Sequence, residues 1–221
     1  MRRVWIRALL LTILAGCALQ GEALAQNREK SWEVTPYVGQ VKFGSASTLE
    51  SVVAPTESAE IEFEDDITVG FRFAYHWSKR HMIEFGFSTL GTDGTLDAVV
   101  SGTPRQGRFN ADILTGRVNY VLNFFLHRRD KVVAFVTGGV GLINFSTFGQ
   151  SSDPDVQNIL AEFVGDENHF LFSYGGGIRL FGGEKAGMRF ELRQVHYDTD
   201  DRGSESFLEF NAGVTLILGG A

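Results

Sequence analysis

The chain has 221 residues, among them 26 Gly, 19 Phe and only 4 Pro, and its net charge is −7. A mean hydropathy of −0.03 shows none of the apolar excess of a helical membrane protein, and the acidity argues against nucleic-acid binding, which needs a basic surface. The length suits one domain. A composition rich in Gly and Phe and poor in Pro favours many strands joined by tight turns.

The first 25 residues have the pattern of a secretory signal peptide, which carries no information on the fold. Three arginines lie within the first seven residues, and an apolar stretch follows them. Ala23-Leu24-Ala25 fits the small-x-small rule, so we expect cleavage after Ala25 and a short N-terminal tail over residues 26–31. The alternative is cleavage before Cys17 and its lipidation, because Leu14-Ala15-Gly16-Cys17 resembles a lipobox and holds the chain's one cysteine.

Beyond residue 31 the chain consists mainly of runs in which apolar and polar residues alternate, and a period of two indicates β-strands. The predicted strands are residues 32–43, 68–77, 81–90, 108–122, 131–148, 169–181, 187–198 and 206–218. In the clearest run, Met188-Arg189-Phe190-Glu191-Leu192-Arg193, three apolar side chains share one face and three charged ones share the other. The first and fifth strands alternate poorly, so their facing is not assigned.

The connections between these strands alternate between long and short. The long ones are residues 44–67, 91–107, 149–168 and 199–205, and the short ones are residues 78–80, 123–130 and 182–186. This layout predicts an all-β protein, an eight-stranded antiparallel up-and-down transmembrane β-barrel over residues 32–218. The short connections are expected at the periplasmic rim. The long ones hold most of the acidic residues, so the extracellular face is expected to be acidic.

Two of the long connections contain a further pattern. In the third, apolar residues recur at helical spacing, which predicts a short amphipathic helix over the barrel mouth, with a collapsed apolar loop as the alternative. These residues are Val156, Ile159, Leu160 and Phe163. The fourth, read from Asp198 to Gly203, partly matches a calcium loop, but Arg202 stands where an oxygen ligand is required. We therefore predict a solvated hairpin there and no metal site.

The whole pattern resembles the family of small outer-membrane barrels that includes the OmpA transmembrane domain and the OmpX and OmpW proteins. The resemblance rests on residues 32–39 of the opening strand, 135–141 of the fifth and 207–218 of the last. It implies a place in the cell outer membrane, contact with its lipid and lipopolysaccharide, and a monomer without a cofactor.

Eight strands enclose only enough space for side chains, so charges on their inner face should pair. The predicted interior charge network is Arg72, His76, Glu84, Arg117, Arg179, Arg189, Glu191, Arg193 and Glu209. Such pairing would plug the barrel and predicts a structural or surface-interaction role through the acidic loops. One alternative is a small-solute or ion pathway across the outer membrane. Another is a soluble, lipocalin-like periplasmic barrel that binds a ligand and points Phe190 and Leu192 inward.

No catalytic pattern is found in the sequence. Barrels of the lipid A deacylase family need a His-x-Ser pair, and none of the five histidines has one; the nearest pair is His169 with Ser173, which a strand would hold far apart. A zinc-type cluster, a phosphate-binding loop and a Gly-x-Ser-x-Gly elbow are also missing. The sequence therefore predicts no enzyme activity, no catalytic residue, no cofactor and no metal.

Overall fold

The computed structural model describes residues 29–44, 47–48, 56–126, 131–149, 166–183, 185–199 and 203–219. Ten strands lie within these ranges: β1 Ser31–Phe43, β2 Ser47–Thr48, β3 Thr56–Phe63, β4 Asp66–His76, β5 His81–Val100, β6 Thr103–Phe125, β7 Val132–Gly149, β8 Asp166–Phe181, β9 Ala186–Thr199 and β10 Gly203–Leu218. None of the described residues belongs to a helix long and apolar enough to cross a membrane.

Eight of the ten strands form a closed antiparallel ring. Its order is β1-β4-β5-β6-β7-β8-β9-β10, and β10 pairs back onto β1 from Trp32↔Leu218 to Phe43↔Phe207. Closure gives every strand of the ring two hydrogen-bonded neighbours, which a barrel in lipid requires. The predicted eight-stranded antiparallel barrel is therefore confirmed.

The prediction of a long loop over residues 91–107 was wrong. Strand β5 continues to Val100 and β6 begins at Thr103, so that only Ser101 and Gly102 form the turn, with φ values of 51° and 73°. Positive φ at both positions suits a two-residue hairpin, because its twist matches that of the flanking strands. The alternation does persist here, since every second residue from Leu90 to Val100 is buried.

The first predicted long loop, residues 44–67, also contains strand. Within it, β3 pairs antiparallel with the far end of β5, from Phe63↔Gly94 to Thr56↔Val100. The two-residue strand β2 pairs in turn with β3. A three-stranded sheet of β3, β5 and β6 therefore continues beyond Asp66, where β4 begins.

The facing of β1 and β7, which the sequence left open, follows from burial. On β1, Trp32 is 43% exposed and Glu33 is 1% exposed, so the odd-numbered residues point inward. On β7, Val136 and Val140 are exposed while Phe135 is buried. Both faces of β7 are rich in apolar residues and Gly, which is why alternation could not assign them.

The facing of β9 separates a membrane barrel from a lipocalin-like one. Leu192 is 50% exposed and its neighbour Glu191 is 1% exposed. The lipocalin-like alternative required Leu192 to point inward, and the structure contradicts it. The apolar side chains form an outer belt suited to lipid, and the charged ones fill the interior.

Three earlier predictions fall on residues that the structure does not describe. They are the signal peptide with Cys17, the helical pattern over residues 156–163, and the centre of the last loop at residues 200–202.

Candidate functional site in the barrel interior

All nine side chains predicted for the interior charge network are buried, each at most 4% exposed. They come from six strands, β4, β5, β6, β8, β9 and β10, and strand alternation turns each of them inward. The structure joins them into three groups stacked along the barrel axis.

The central group is built around Glu191. Its Oε2 accepts hydrogen bonds from Arg72 Nη1 and Arg189 Nη2, both at 2.7 Å, and its Oε1 accepts one from Arg193 Nη2 at 2.5 Å. Glu84 is the second acceptor, bonded to Arg189 and 3.5 Å from Arg193 Nη2. Two carboxylates therefore bridge three guanidinium groups, which keeps like charges apart in a medium of low dielectric constant.

The second group lies towards the long connections and is a forked pair. Arg117 donates from Nη1 to Glu209 Oε2 at 2.9 Å and from Nη2 to Glu209 Oε1 at 2.7 Å. Nη2 also donates to the hydroxyls of Ser88 and Thr115, at 3.2 and 3.1 Å. Bidentate pairing fixes orientation as well as charge, so this pair spans the interior as a rigid bridge from β6 to β10.

The third group lies towards the short connections and includes Glu33, which the sequence analysis missed. His76 Nε2 lies 2.9 Å from Glu33 Oε2, and Arg179 Nε lies 3.5 Å from Glu33 Oε1. Arg179 Nη1 donates to Asn123 Oδ1 at 2.7 Å. Glu33 was missed because β1 had no assigned face, although Ser31, Glu33 and Thr35 do form a polar run of odd-numbered residues.

One aromatic ring supports two of these arginines. The guanidinium carbons of Arg179 and Arg189 lie 4.6 and 4.4 Å from the centroid of Phe135, a cation–π arrangement that is strongest in desolvated sites. A side chain at Gly177 would put its Cβ 2.8 Å from Phe135 Cζ. Glycine at position 177 therefore leaves the space that the ring and its two arginines occupy.

The polar side chains of this arrangement are paired with one another. The buried histidine of the network, His76, faces the carboxylate of Glu33. The hydroxyls beside Arg117, those of Ser88 and Thr115, hydrogen-bond to each other. Among the described residues, no three His, Cys, Asp or Glu side chains group so as to hold a metal ion.

A ring of aromatic side chains crosses the barrel mouth on the side of the long connections. Successive centroids are 5.2, 6.1, 5.3, 5.9 and 5.5 Å apart, in the order Phe43, Phe63, Phe145, Tyr197, Phe207 and back to Phe43. We call these five the aromatic ring. Four stand on barrel strands, and Phe63 comes from β3. Aliphatic residues pack beneath them: Val41, Leu90, Ile113, Ile143, Leu171 and Val195.

An apolar cluster also lies at the opposite end of the barrel. It consists of Val133, Phe181 and Ile217, with Phe125 packed against it. Charged groups thus occupy the middle of the interior, and apolar groups lie above and below them.

A closed antiparallel ring with an apolar outer belt and a charged interior defines a small transmembrane β-barrel. The chain belongs to the family of the outer membrane protein beta-barrel domain, whose model matches residues 9–217. The protein is therefore an outer-membrane protein.

Solved structures with the same fold include OprG of Pseudomonas aeruginosa, which superposes with a TM-score of 0.63 at 10% sequence identity, over 90% of this chain and 100% of OprG. Neisserial surface protein A superposes with a TM-score of 0.51 at 8% identity, over 84% and 96% of the two chains. At such identities the likeness concerns the fold alone. No curated protein matches the chain.

Proposed function

We propose that this protein is a non-enzymatic, plugged outer-membrane barrel with a structural and surface-interaction role, and that it acts as a monomer. The observation that carries the proposal is the filled interior. Three groups of paired charges occupy its middle, and apolar clusters lie at both ends. An ion crossing this barrel would have to break buried ion pairs, which cost about 3–5 kcal/mol each to disrupt by removal of one partner.

Conductance in planar lipid bilayers tests the plug. The purified barrel is expected to give no steady current under an applied voltage. A steady, voltage-independent current from single barrels would instead favour the ion pathway. An unrelated open porin, recorded in the same bilayer, controls for insertion.

The surface role rests on the sheet of β3, β5 and β6. Its exposed face carries Glu60, Glu62, Asp93 and Asp97 together with the cation Arg108, and Glu60 stands directly opposite Asp97 in the strand register. Like charges directly opposite each other are destabilising, so a bound cationic partner would reduce the repulsion between these carboxylates. Binding of a cationic polypeptide such as polylysine to the barrel in nanodiscs should fall at least about tenfold when all four are changed to the amides. If the variant bound polylysine as tightly as the wild type does, this face would not be the binding surface.

A second candidate function is a pathway for small apolar solutes, favoured by the aromatic ring. Phe63 belongs to β3 and not to the barrel wall, so its withdrawal would open the ring without breaking the barrel. Phe63→Ala should then raise the uptake of an apolar dye by intact cells. Equal uptake by the variant and the wild type would leave the plugged barrel as the better account.

The limits of the mature chain are part of the same proposal. We expect a signal peptide over residues 1–25, a tail over residues 26–31 and the barrel over residues 32–218. Mass spectrometry of the mature N-terminus distinguishes this from lipidation: cleavage after Ala25 starts the chain at Gln26, whereas lipidation starts it at an acylated Cys17.

A further inference from the structure

Three aromatic side chains with polar tips meet on the outer surface where β4 ends and β5 begins. The rings of Trp77 and His81 are parallel to within 4°, with centroids 6.1 Å apart, and Tyr120 of β6 lies 5.9 Å from each ring. The Tyr120 hydroxyl and His81 Nδ1 are 2.5 Å apart. Trp77 is 42% exposed and Tyr120 is 45% exposed. We call these three residues the rim triad.

The turn next to the rim triad is held in one shape. The backbone N–H of Ser78 donates to the carbonyl of His81 at 3.4 Å, and the N–H of His81 donates to Ser78 Oγ at 3.1 Å. From the neighbouring strand, the N–H of Asn123 donates to the carbonyl of Arg80 at 2.7 Å. The exposed side chains of Lys79 and Arg80 therefore extend from a turn whose backbone is held in place next to the rim triad.

Along β4 and β5, polarity rises in order from the belt to this turn, whereas at the end of β6 the exposed apolar residues Phe124 and Leu126 lie beyond Tyr120. The outward residues of β5 and β6 above the rim triad, such as Ile83, Phe85 and Val118, are exposed and apolar. The polar-tipped rings follow, and two cations come last. A phospholipid presents the complementary order, with acyl chains, ester groups and then an anionic phosphate. Aromatic residues with polar tips prefer this interfacial depth.

The feature is confined to one side of the rim. Trp32 of β1 extends it, with its ring 4.8 Å from that of Tyr75. On the other side of the barrel, the outward residues at the same rim are aliphatic: Val132, Leu180, Met188, Leu216 and Leu218. A general aromatic girdle would surround the barrel, whereas this cluster marks one place.

We propose that the rim triad, with Lys79 and Arg80, binds the phosphate headgroup of an anionic phospholipid in the periplasmic leaflet of the outer membrane. The site lies at the end of the barrel where the short connections carry basic residues. At the opposite end, the extension formed by β3, β5 and β6 exposes Glu60, Glu62, Asp93 and Asp97 beside Arg105 and Arg108, and its net acidic charge would repel the phosphates of lipid A. The inference rests on the outer-membrane location and not on the proposed role of the loops.

Native mass spectrometry of the purified full chain, titrated with cardiolipin in detergent, tests the site. Lys79→Ala/Arg80→Ala should weaken cardiolipin binding by about tenfold or more, since each interfacial cation contributes about 1 kcal/mol. The matched control is Lys131→Ala/Lys185→Ala, which removes the same charge from the same rim away from the rim triad. It should change binding less than twofold. Phosphatidylethanolamine, which has no net charge, should bind weakly to all three proteins.

Several results would overturn the proposal. Equal losses in the two double variants would mean that general charge, and not this site, attracts the lipid. An unchanged Lys79→Ala/Arg80→Ala protein would exclude the turn. If lipid A binding depended on Lys79 and Arg80 as strongly as cardiolipin binding does, the proposal would have named the wrong lipid. Trp77→Leu is a second variant, because it keeps an apolar side chain but removes the indole N–H; it should weaken cardiolipin binding while thermal unfolding in lipid-free detergent stays unchanged.

Discussion

Glu191 accepts hydrogen bonds from more arginines than any other carboxylate in the described interior. Its two carboxylate oxygens accept hydrogen bonds from Arg72, Arg189 and Arg193, so its one negative charge partly balances the positive charges of all three. Removing one partner of a buried ion pair leaves an uncompensated charge. We predict that Glu191→Gln lowers the free energy of unfolding by about 3–5 kcal/mol, measured by urea unfolding of the barrel in lipid vesicles.

The same substitution at an exposed glutamate serves as the control. Glu62 on β3 is exposed, and Glu62→Gln should change the free energy of unfolding by less than about 0.5 kcal/mol. If the two variants unfold at the same urea concentration, the central group contributes no more to stability than a surface charge, and its description as the structural centre of the interior is wrong.

At the scale of elements, the extension of β5 and β6 beyond the ring is the feature that differs most from the sequence prediction. Leu96 is fully buried on the inner face of this extension, and Asp97 is exposed on the outer face. A carboxylate at position 96 would be buried without a partner, at a cost of about 2 kcal/mol or more. Leu96→Asp should therefore speed amide hydrogen exchange over residues 94–100 and 103–108 by at least about tenfold. In the control, Asp97→Asn, exchange should stay close to that of the wild type, and equal rates in the two variants would contradict the strand assignment.

Sequence reasoning succeeded where one face of a strand is charged and the other is apolar. The run Met188–Arg193 is the clearest case, because alternation there fixes both the strand and its facing. It failed for Glu33, whose strand has apolar residues on both faces, and for residues 91–107, which are rich in Gly, Thr and Asp and contain no aromatic residue. The aromatic ring could not be predicted from the sequence, because the five residues come from five strands and meet only when the barrel closes.

The whole molecule is electrically polar along its axis. Among the described residues, the end with the long connections is net acidic, exposing Glu60, Glu62, Asp93 and Asp97 beside Arg105 and Arg108. The end with the short connections is net basic, carrying Lys30, Lys79, Arg80, Lys131 and Lys185 beside Glu29. Bacterial outer-membrane barrels have short periplasmic turns and longer extracellular loops. The acidic end is therefore expected to face outward and the basic end to face the periplasm.

Two tight turns at opposite ends allow this orientation to be tested. An epitope tag inserted between Ser101 and Gly102 would extend a two-residue turn at the acidic end, and one inserted between Gly182 and Gly183 would extend the short connection between β8 and β9. Because neither site interrupts a strand pair, both tagged barrels should fold. An antibody added to intact cells should bind the first tag at once and reach the second only after the outer membrane is permeabilised. The reverse pattern would show that the barrel has the opposite orientation. The lipid site at Lys79 and Arg80 would then face lipopolysaccharide instead of phospholipid.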